Sequence, residues 1–68
     1  MVVTLIVNGT PREMPDRATV ADLIQALGLA KAACAAEVNR ELVPKRQQPT
    51  RELQDGDSVE LVTLVGGG

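Results

Sequence analysis

The residues of this sequence with the clearest chemical potential are the three glycines at its end, Gly66, Gly67 and Gly68. At an average glycine content of about 7%, three glycines in these positions would occur by chance in roughly 0.03% of chains. Glycine lacks a Cβ, so a glycine tail can thread a narrow cleft in another protein and carry the carboxylate of Gly68 into it. A frayed end or a cloning remnant is the alternative. We favour a functional tail, because an apolar strand runs directly into the glycines.

The chemistry open to such a tail follows from its carboxylate, which is a poor electrophile. Activation as an acyl-adenylate would make the carboxyl carbon of Gly68 electrophilic. A sulfur nucleophile could then displace the adenylate and leave a thiocarboxylate. The chain needs no catalytic side chain for these steps, in keeping with a sequence that contains no histidine, the commonest general base. We predict Gly68 as the covalent site, Gly66 and Gly67 as the threading segment, and no catalytic residue.

Two side chains that could act as reactive groups are better explained by structural roles. Cys34 is the only cysteine, and the sequence offers no histidine to activate its thiolate. It alternates with Ala36 and Val38, as a small buried hydrophobic residue would. Asp22 follows Thr19 by three residues, the spacing of a helix capping box. We therefore expect Cys34 in the core and Asp22 in a helix cap.

Composition limits the chain to one small domain and excludes several classes of function. With 68 residues and no Phe, Tyr, Trp or His, the core is aliphatic and offers no aromatic platform for stacking nucleic-acid bases. One cysteine and scattered carboxylates indicate no metal site, and a net charge of −2 disfavours phosphate binding. The sequence shows neither a signal peptide nor an apolar run of about 20 residues. We expect a cytoplasmic protein that binds no metal, nucleic acid or membrane.

Alternating apolar residues and turn signals predict most of the secondary structure. The predicted strands are residues 2–8, 10–14, 34–38, 41–43 and 58–65. Asn8-Gly9, Asn39-Arg40 and Asp55-Gly56-Asp57 predict tight turns between them. Pro11 favours a sheet edge for the second strand, and the polar segment 45–50 is predicted to be a loop.

One helix is predicted between the second and third strands. Thr19 can cap it, an apolar stripe follows at helical spacing, and Gly28 ends it after about ten residues. The members of that stripe are Val20, Leu23, Ile24 and Leu27. Both terminal strands are the most apolar, so we expect them side by side at the sheet centre. The predicted fold is α+β: a β-grasp, ubiquitin-like roll with a four- to five-stranded mixed sheet packed on one helix, over residues 1–65, with 66–68 as a flexible tail.

The last strand also predicts a surface for partner docking. If Val59 and Leu61 face the helix, alternation turns the residues between and after them outward. Outward apolar residues on a small domain mark partner surfaces. The predicted docking residues are Ile6, Val62, Leu64 and Val65. A basic set (Arg40, Lys45, Arg46 and Arg51) and an acidic set (Glu52, Asp55, Asp57 and Glu60) are interpreted as solvated charges that could steer docking.

Several of these segments, in this order, resemble the ThiS family of sulfur carriers in thiamine thiazole synthesis. The resemblance covers essentially the whole chain, and its most specific part is the block 38–45 followed by the glycine end. The matching segments are Asn8-Gly9, Thr19-Val20-Ala21-Asp22-Leu23, Val38-Asn39-Arg40-Glu41-Leu42-Val43-Pro44-Lys45, Asp55-Gly56-Asp57 and Glu60-Leu61-Val62-Thr63-Leu64-Val65-Gly66-Gly67-Gly68. The chain departs from the family in its missing aromatic residues and in Lys45, where arginine is frequent.

The resemblance implies a β-grasp fold and a set of partners. An E1-like activating enzyme would adenylate Gly68, and ATP and its metal would belong to that enzyme. A sulfur donor protein would supply the sulfur of the thiocarboxylate. Thiazole synthase would receive that sulfur and build thiazole phosphate from a deoxyxylulose phosphate and a glycine-derived imine. The chain would then be a protein cosubstrate and not an enzyme.

Three other functions remain compatible with the residues. The related small subunit of molybdopterin synthase would use the same tail chemistry, but it resembles the block 39–44 less well. A ubiquitin-like modifier would form isopeptide bonds with lysines. A β-grasp interaction module would carry an inert tail. Only the resemblance favours thiamine synthesis over the molybdopterin pathway.

Overall fold

One five-stranded sheet and one helix make up the fold. The computed structural model describes residues 1–30 and 33–64, with the backbone alone at Leu64. The elements are β1 (Val2–Val7), β2 (Thr10–Pro15), α1 (Val20–Ala26), β3 (Ala33–Val38), β4 (Glu41–Val43), a short 3-10 helix (Lys45–Gln47) and β5 (Ser58–Leu64). The strand order is β2-β1-β5-β3-β4, with β1 and β5 parallel and the other neighbours antiparallel. The predicted mixed sheet, with its terminal strands adjacent at the centre, is confirmed.

Strand alternation divides the sheet into a buried face and an outward face. Leu5 of β1, Val38 of β3 and Val59 of β5 are fully buried against α1. Their neighbours along each strand point to the opposite side, as a two-residue period requires. The core contains no aromatic residue, and Leu23 and Val20 supply the helix side of it. In β1, Val3, Leu5 and Val7 are buried and the residues between them are exposed, in strict alternation.

The helix begins as predicted and ends earlier than predicted. Thr19 Oγ1 accepts a hydrogen bond from Asp22 N at 3.1 Å, and Thr19 N donates to Asp22 Oδ2 at 3.0 Å, which completes the capping box. Regular helix covers Val20–Ala26, seven residues where about ten were expected. Leu27 leaves helical geometry, and Gly28 follows with φ of 76°. The last turn thus closes onto a left-handed glycine, which ends the helix.

The turns and edges match the sequence signals, but four elements differ in extent or type; the first is β1, which ends at Val7 where residue 8 was predicted. Asn8 (φ 50°) and Gly9 (φ 83°) form the β1–β2 hairpin, and Asn39 (φ 51°) and Arg40 (φ 69°) form the β3–β4 hairpin. Pro11 lies on the edge strand β2, as predicted. β2 extends to Pro15, β3 begins at Ala33, and residues 45–47 form a 3-10 helix where a loop was predicted. Short 3-10 turns of this kind carry no strong sequence signal.

Asn8 uses its side chain to extend the pairing of β1 with β5 beyond the end of β1. The backbone ladder pairs Ile6 with Ser58 and Val7 with Val59. Asn8 Oδ1 then accepts from Leu61 N at 2.9 Å, and Asn8 Nδ2 donates to Leu61 O at 3.2 Å. The carboxamide therefore satisfies both backbone groups of Leu61, as a further strand residue would.

We expect Asn8→Ala to lower the free energy of unfolding by about 2–3 kcal/mol. The variant loses two side-chain hydrogen bonds, each with a net value of about 1 kcal/mol, and places an alanine in the left-handed region at a cost of about 1 kcal/mol. Urea denaturation followed by circular dichroism measures this difference. Asn8→Gly separates the two causes, because glycine tolerates φ of 50° but makes no side-chain bond. Full stability of Asn8→Gly would show that the Leu61 bonds contribute nothing.

Candidate functional site

The strand that leads to the glycine tail is paired with a neighbouring strand on both of its sides. β5 lies between β1 and β3, and β3 pairs with it as far as Leu64 through the Ala33–Leu64 partners. On its other side, β1 and then the Asn8 carboxamide hold it as far as Leu61. The predicted threading residues Gly66 and Gly67, the predicted covalent site Gly68 and the predicted docking residue Val65 lie outside the described residues. What the structure defines is the paired strand β5 that precedes them in the chain.

The start of β5 is held by side chains that sequence analysis assigned to a solvated acidic set. Asp55 Oδ1 accepts from Thr4 N at 2.7 Å. Asp57 accepts from Gln54 N at 2.9 Å through Oδ2 and from Asn39 Nδ2 at 2.9 Å through Oδ1. These two aspartates therefore close the turn before β5, and their part in steering docking stays a prediction. The Asp-Gly-Asp pattern signals the turn-closing role, since aspartate commonly bonds to turn backbone.

The outward face of the sheet carries the exposed apolar side chains. Val62 of β5 is 56% exposed and Ile6 of β1 is 37% exposed, on the same face. The backbone of Leu64 continues β5, and its side chain lies outside the description. Leu42 of β4 is 66% exposed on this face and was not predicted. The sequence does contain a signal for this outward position: Leu42 follows the Asn39-Arg40 turn and alternates with Val43, which is buried.

Cys34 is a core residue, as predicted. It is 8% exposed and faces the helix side of β3. Burial raises the pKa of the Cys34 thiol, which lowers the fraction of reactive thiolate. Gln48, a buried polar residue, donates from Nε2 to the Cys34 carbonyl at 3.0 Å and fixes the backbone there. This environment suits packing and not sulfur chemistry.

A shallow depression of about 250 Å³ lies where β4 ends beside β3. It is lined mainly by apolar side chains, and its only groups that can ionise are the Cys34 thiol and the Lys45 amine. Within residues 1–30 and 33–64, no three His, Cys, Asp or Glu side chains are grouped to hold a metal ion. Among the same residues, no helix has both the length and the apolar character needed to cross a bilayer.

Comparison with known proteins assigns this fold to a family. A model of the ThiS family matches residues 5–68. The chain belongs to the ThiS family. A thiamine biosynthesis protein (ThiS) of Geobacter metallireducens has the same β-grasp architecture: it superposes with a TM-score of 0.79 at 32% identity, covering 97% of this chain and 100% of that chain. The resemblance and the fold predicted from the sequence are both confirmed.

Two relatives show how the ThiS domain occurs in other proteins. The sulfur carrier protein ThiS of Thermus thermophilus is 34% identical over 61 residues, which cover 90% of this chain and 94% of that protein. A thiazole synthase of Paramagnetospirillum magneticum is 38% identical over 64 residues, which cover 94% of this chain. The chain spans 20% of the length of that thiazole synthase. A ThiS-like segment is therefore also part of a longer polypeptide that carries an enzyme name.

We expect the folded chain to resist alkylation at Cys34. Iodoacetamide at about pH 8 should label the native protein at least about tenfold more slowly than the chain unfolded in urea, because burial both blocks access and raises the thiol pKa. Labelling is followed by intact mass. Cys34→Ser is the control that shows a single labelled site. Equal rates in the native and unfolded states would contradict the core assignment.

Proposed function

We propose that this chain is a sulfur carrier protein for thiazole formation in thiamine biosynthesis. The match of the ThiS family to residues 5–68 carries this proposal, because it spans the sheet and the glycine end together. The Thermus thermophilus relative bears the name sulfur carrier protein, and the match covers 90% of this chain and 94% of that protein. The chain acts as a protein cosubstrate, and its chemistry occurs at the Gly68 carboxylate and not at a side chain.

The proposed chemistry proceeds in two displacements at Gly68. A carboxylate oxygen of Gly68 attacks the α-phosphorus of ATP, and pyrophosphate leaves. Sulfur at the sulfide level, delivered by a sulfur donor protein, then attacks the acyl carbon, and AMP leaves with the original oxygen. The product is a thiocarboxylate, in which one oxygen of the carboxylate has been replaced by sulfur. ATP and its metal are held by an E1-like adenylating enzyme, and this chain binds neither.

The role of the folded domain in this proposal is to deliver the tail. β5 is held on both sides as far as Leu61, so the tail leaves from a defined point of the sheet. Val62 is exposed on the outward face near the end of β5, and Ile6 is exposed on the same face beside Ser58, where β5 begins. We assign docking to Ile6, Val62, Leu64 and Val65, because apolar groups can seat the domain on an enzyme while residues 66–68 enter its active site. Thiazole synthase is the enzyme that accepts the sulfur.

Intact mass spectrometry tests the proposed chemistry directly. The chain is incubated with the E1-like adenylating enzyme of the same source, ATP and a sulfide source. We expect a mass increase equal to the exchange of one oxygen for one sulfur, mapped by fragmentation to Gly68. Deletion of Gly68, or extension of the chain past it, should abolish the increase while the circular dichroism spectrum stays unchanged. Cys34→Ser should load as the wild type does.

Other outcomes of this experiment assign other functions. An unchanged mass, with an adenylating enzyme that loads its own carrier, would contradict the proposal and favour an inert-tailed interaction module. A stable adenylate without sulfur would point to a ubiquitin-like modifier. A loaded chain that transfers no sulfur to thiazole synthase but does so to a molybdopterin precursor would place it in that pathway.

Docking is tested by Val62→Asp, which puts a charge on the outward face beside the base of the tail. We expect loading by the adenylating enzyme or sulfur transfer to thiazole synthase to fall by at least about tenfold, because a desolvated charge opposes apolar contact. Val2→Asp is the matched control. Val2 is 59% exposed on the same face, at the end of β1 that does not pair with β5. Equal activity of the two variants would contradict docking through Val62.

A further inference from the structure

Two glutamates face each other at the centre of the outward face. Glu37 of β3 and Glu60 of β5 are direct partners in the antiparallel register, and both are exposed. The Cβ atoms of directly opposite residues lie about 4.5–5.5 Å apart, and like charges in such a pair destabilise a sheet. The fold therefore keeps an acidic pair that costs stability where almost any neutral residue would cost less.

Apolar side chains surround this acidic pair. Leu42 is the register partner of Glu37 on β4 and is 66% exposed. Val62 follows Glu60 by two positions on β5 and is 56% exposed. Ile6, paired with Ser58 of β5, closes the third side at 37% exposure. The result is a surface across four strands, with two carboxylates at its centre and large aliphatic groups at its rim.

None of the outward strand positions that the structure describes places a cation beside the pair. The outward strand positions are Val2, Thr4, Ile6, Pro11, Glu13, Pro15, Ala33, Ala35, Glu37, Leu42, Ser58, Glu60 and Val62. None of these positions is Lys or Arg, although the whole chain contains seven such residues. The complementary surface is therefore apolar with a cationic centre.

Arginine fits such a surface better than lysine. Its guanidinium is planar, presents several donors to two carboxylates at once, and is weakly hydrated. Its aliphatic stem can pack against apolar side chains at the rim. An ammonium group is more strongly hydrated, so moving it from water into an apolar rim costs more.

We propose that the outward face docks on thiazole synthase by receiving one arginine of that enzyme between Glu37 and Glu60, with Leu42, Val62 and Ile6 packed around it. This inference rests on the proposed function, which makes thiazole synthase the acceptor of sulfur. It goes beyond that function in assigning a charge-specific contact to the strands of the sheet. The acidic pair then trades stability of the free domain for recognition of the partner.

A recognition role for the pair predicts that removing one charge stabilises the free domain and weakens binding, a combination that a merely structural role would not produce. Glu37→Gln and Glu60→Gln remove the repulsion, so each should raise the Tm of the free domain by about 2–4 °C. Each should also weaken binding to thiazole synthase by about tenfold, because it removes a charge-assisted hydrogen bond at the interface. The affinity of the variants should depend less on salt than that of the wild type.

The experiment is isothermal titration calorimetry of the full chain with thiazole synthase of the same source, at low and high salt, beside thermal unfolding of each variant. Glu13→Gln is the control on the same face, since Glu13 pairs with Thr4 on the far side of β1 from Glu60. Glu52→Gln is the control outside the strands. Both controls change the charge equally and should leave affinity within about twofold of the wild type.

The outcomes separate this inference from the proposed sulfur chemistry. Wild-type affinity in both pair variants, or equal losses in Glu13→Gln, would overturn the inference. A lower Tm together with weaker binding would also overturn it, because the pair would then be structural. If the pair variants bind thiazole synthase normally but load poorly on the adenylating enzyme, the assigned partner is wrong. If the wild type binds in a Glu37- and Glu60-dependent manner but never gains sulfur, the proposed function fails and this contact stands.

Discussion

The parallel pairing of β1 with β5 is the constraint on which the rest of the structure depends. It joins the two ends of the chain at the centre of the sheet, and only Ile6–Ser58 and Val7–Val59 pair in the ladder. Such a short ladder closes a long loop, so it must be reinforced to offset the entropy of closure. Ile6 N donates to Asp57 O at 2.9 Å and Asn8 N to Val59 O at 2.9 Å, and the Asn8 carboxamide adds Leu61. These contacts turn two separate hairpin units into one sheet.

Hydrogen bonds from polar side chains help to hold this domain together, because its core lacks the large aromatic residues that stabilise other small domains. The core is built of aliphatic residues, and its one helix has seven residues, too short to persist without packing. Amide and carboxylate side chains form hydrogen bonds that hold the strands in place. Asn8 bonds to the backbone of Leu61 in β5, and Gln48 bonds to the carbonyl of Cys34 in β3. At the start of β5, Asn39 bonds to the Asp57 carboxylate and to the Ser58 backbone. Directed hydrogen bonds of this kind add to the register that the buried face of each strand already restricts.

The two faces of the sheet have different roles. The face toward α1 holds the buried residues and supplies stability. The outward face exposes aliphatic residues and sets Glu37 against Glu60, which opposes stability. In a sulfur carrier this division is useful, because the outward face can adapt to enzymes while the core holds the base of the tail in place. The same division explains why Cys34, on the buried face, has no part in the proposed chemistry.

The sequence by itself determined the secondary structure, the two-faced strands, the helix cap and the family, because these depend on local spacing and residue type. Alternation predicted that Ile6 and Val62 point outward, and both are exposed. Only the tertiary structure decided the strand register, and with it the opposition of Glu37 and Glu60, residues 23 positions apart in sequence. It also decided that Asp57 binds Asn39 and that Asn8 binds Leu61. Contacts between distant segments depend on how strands align, and a periodic pattern carries no information about alignment beyond which face a residue takes.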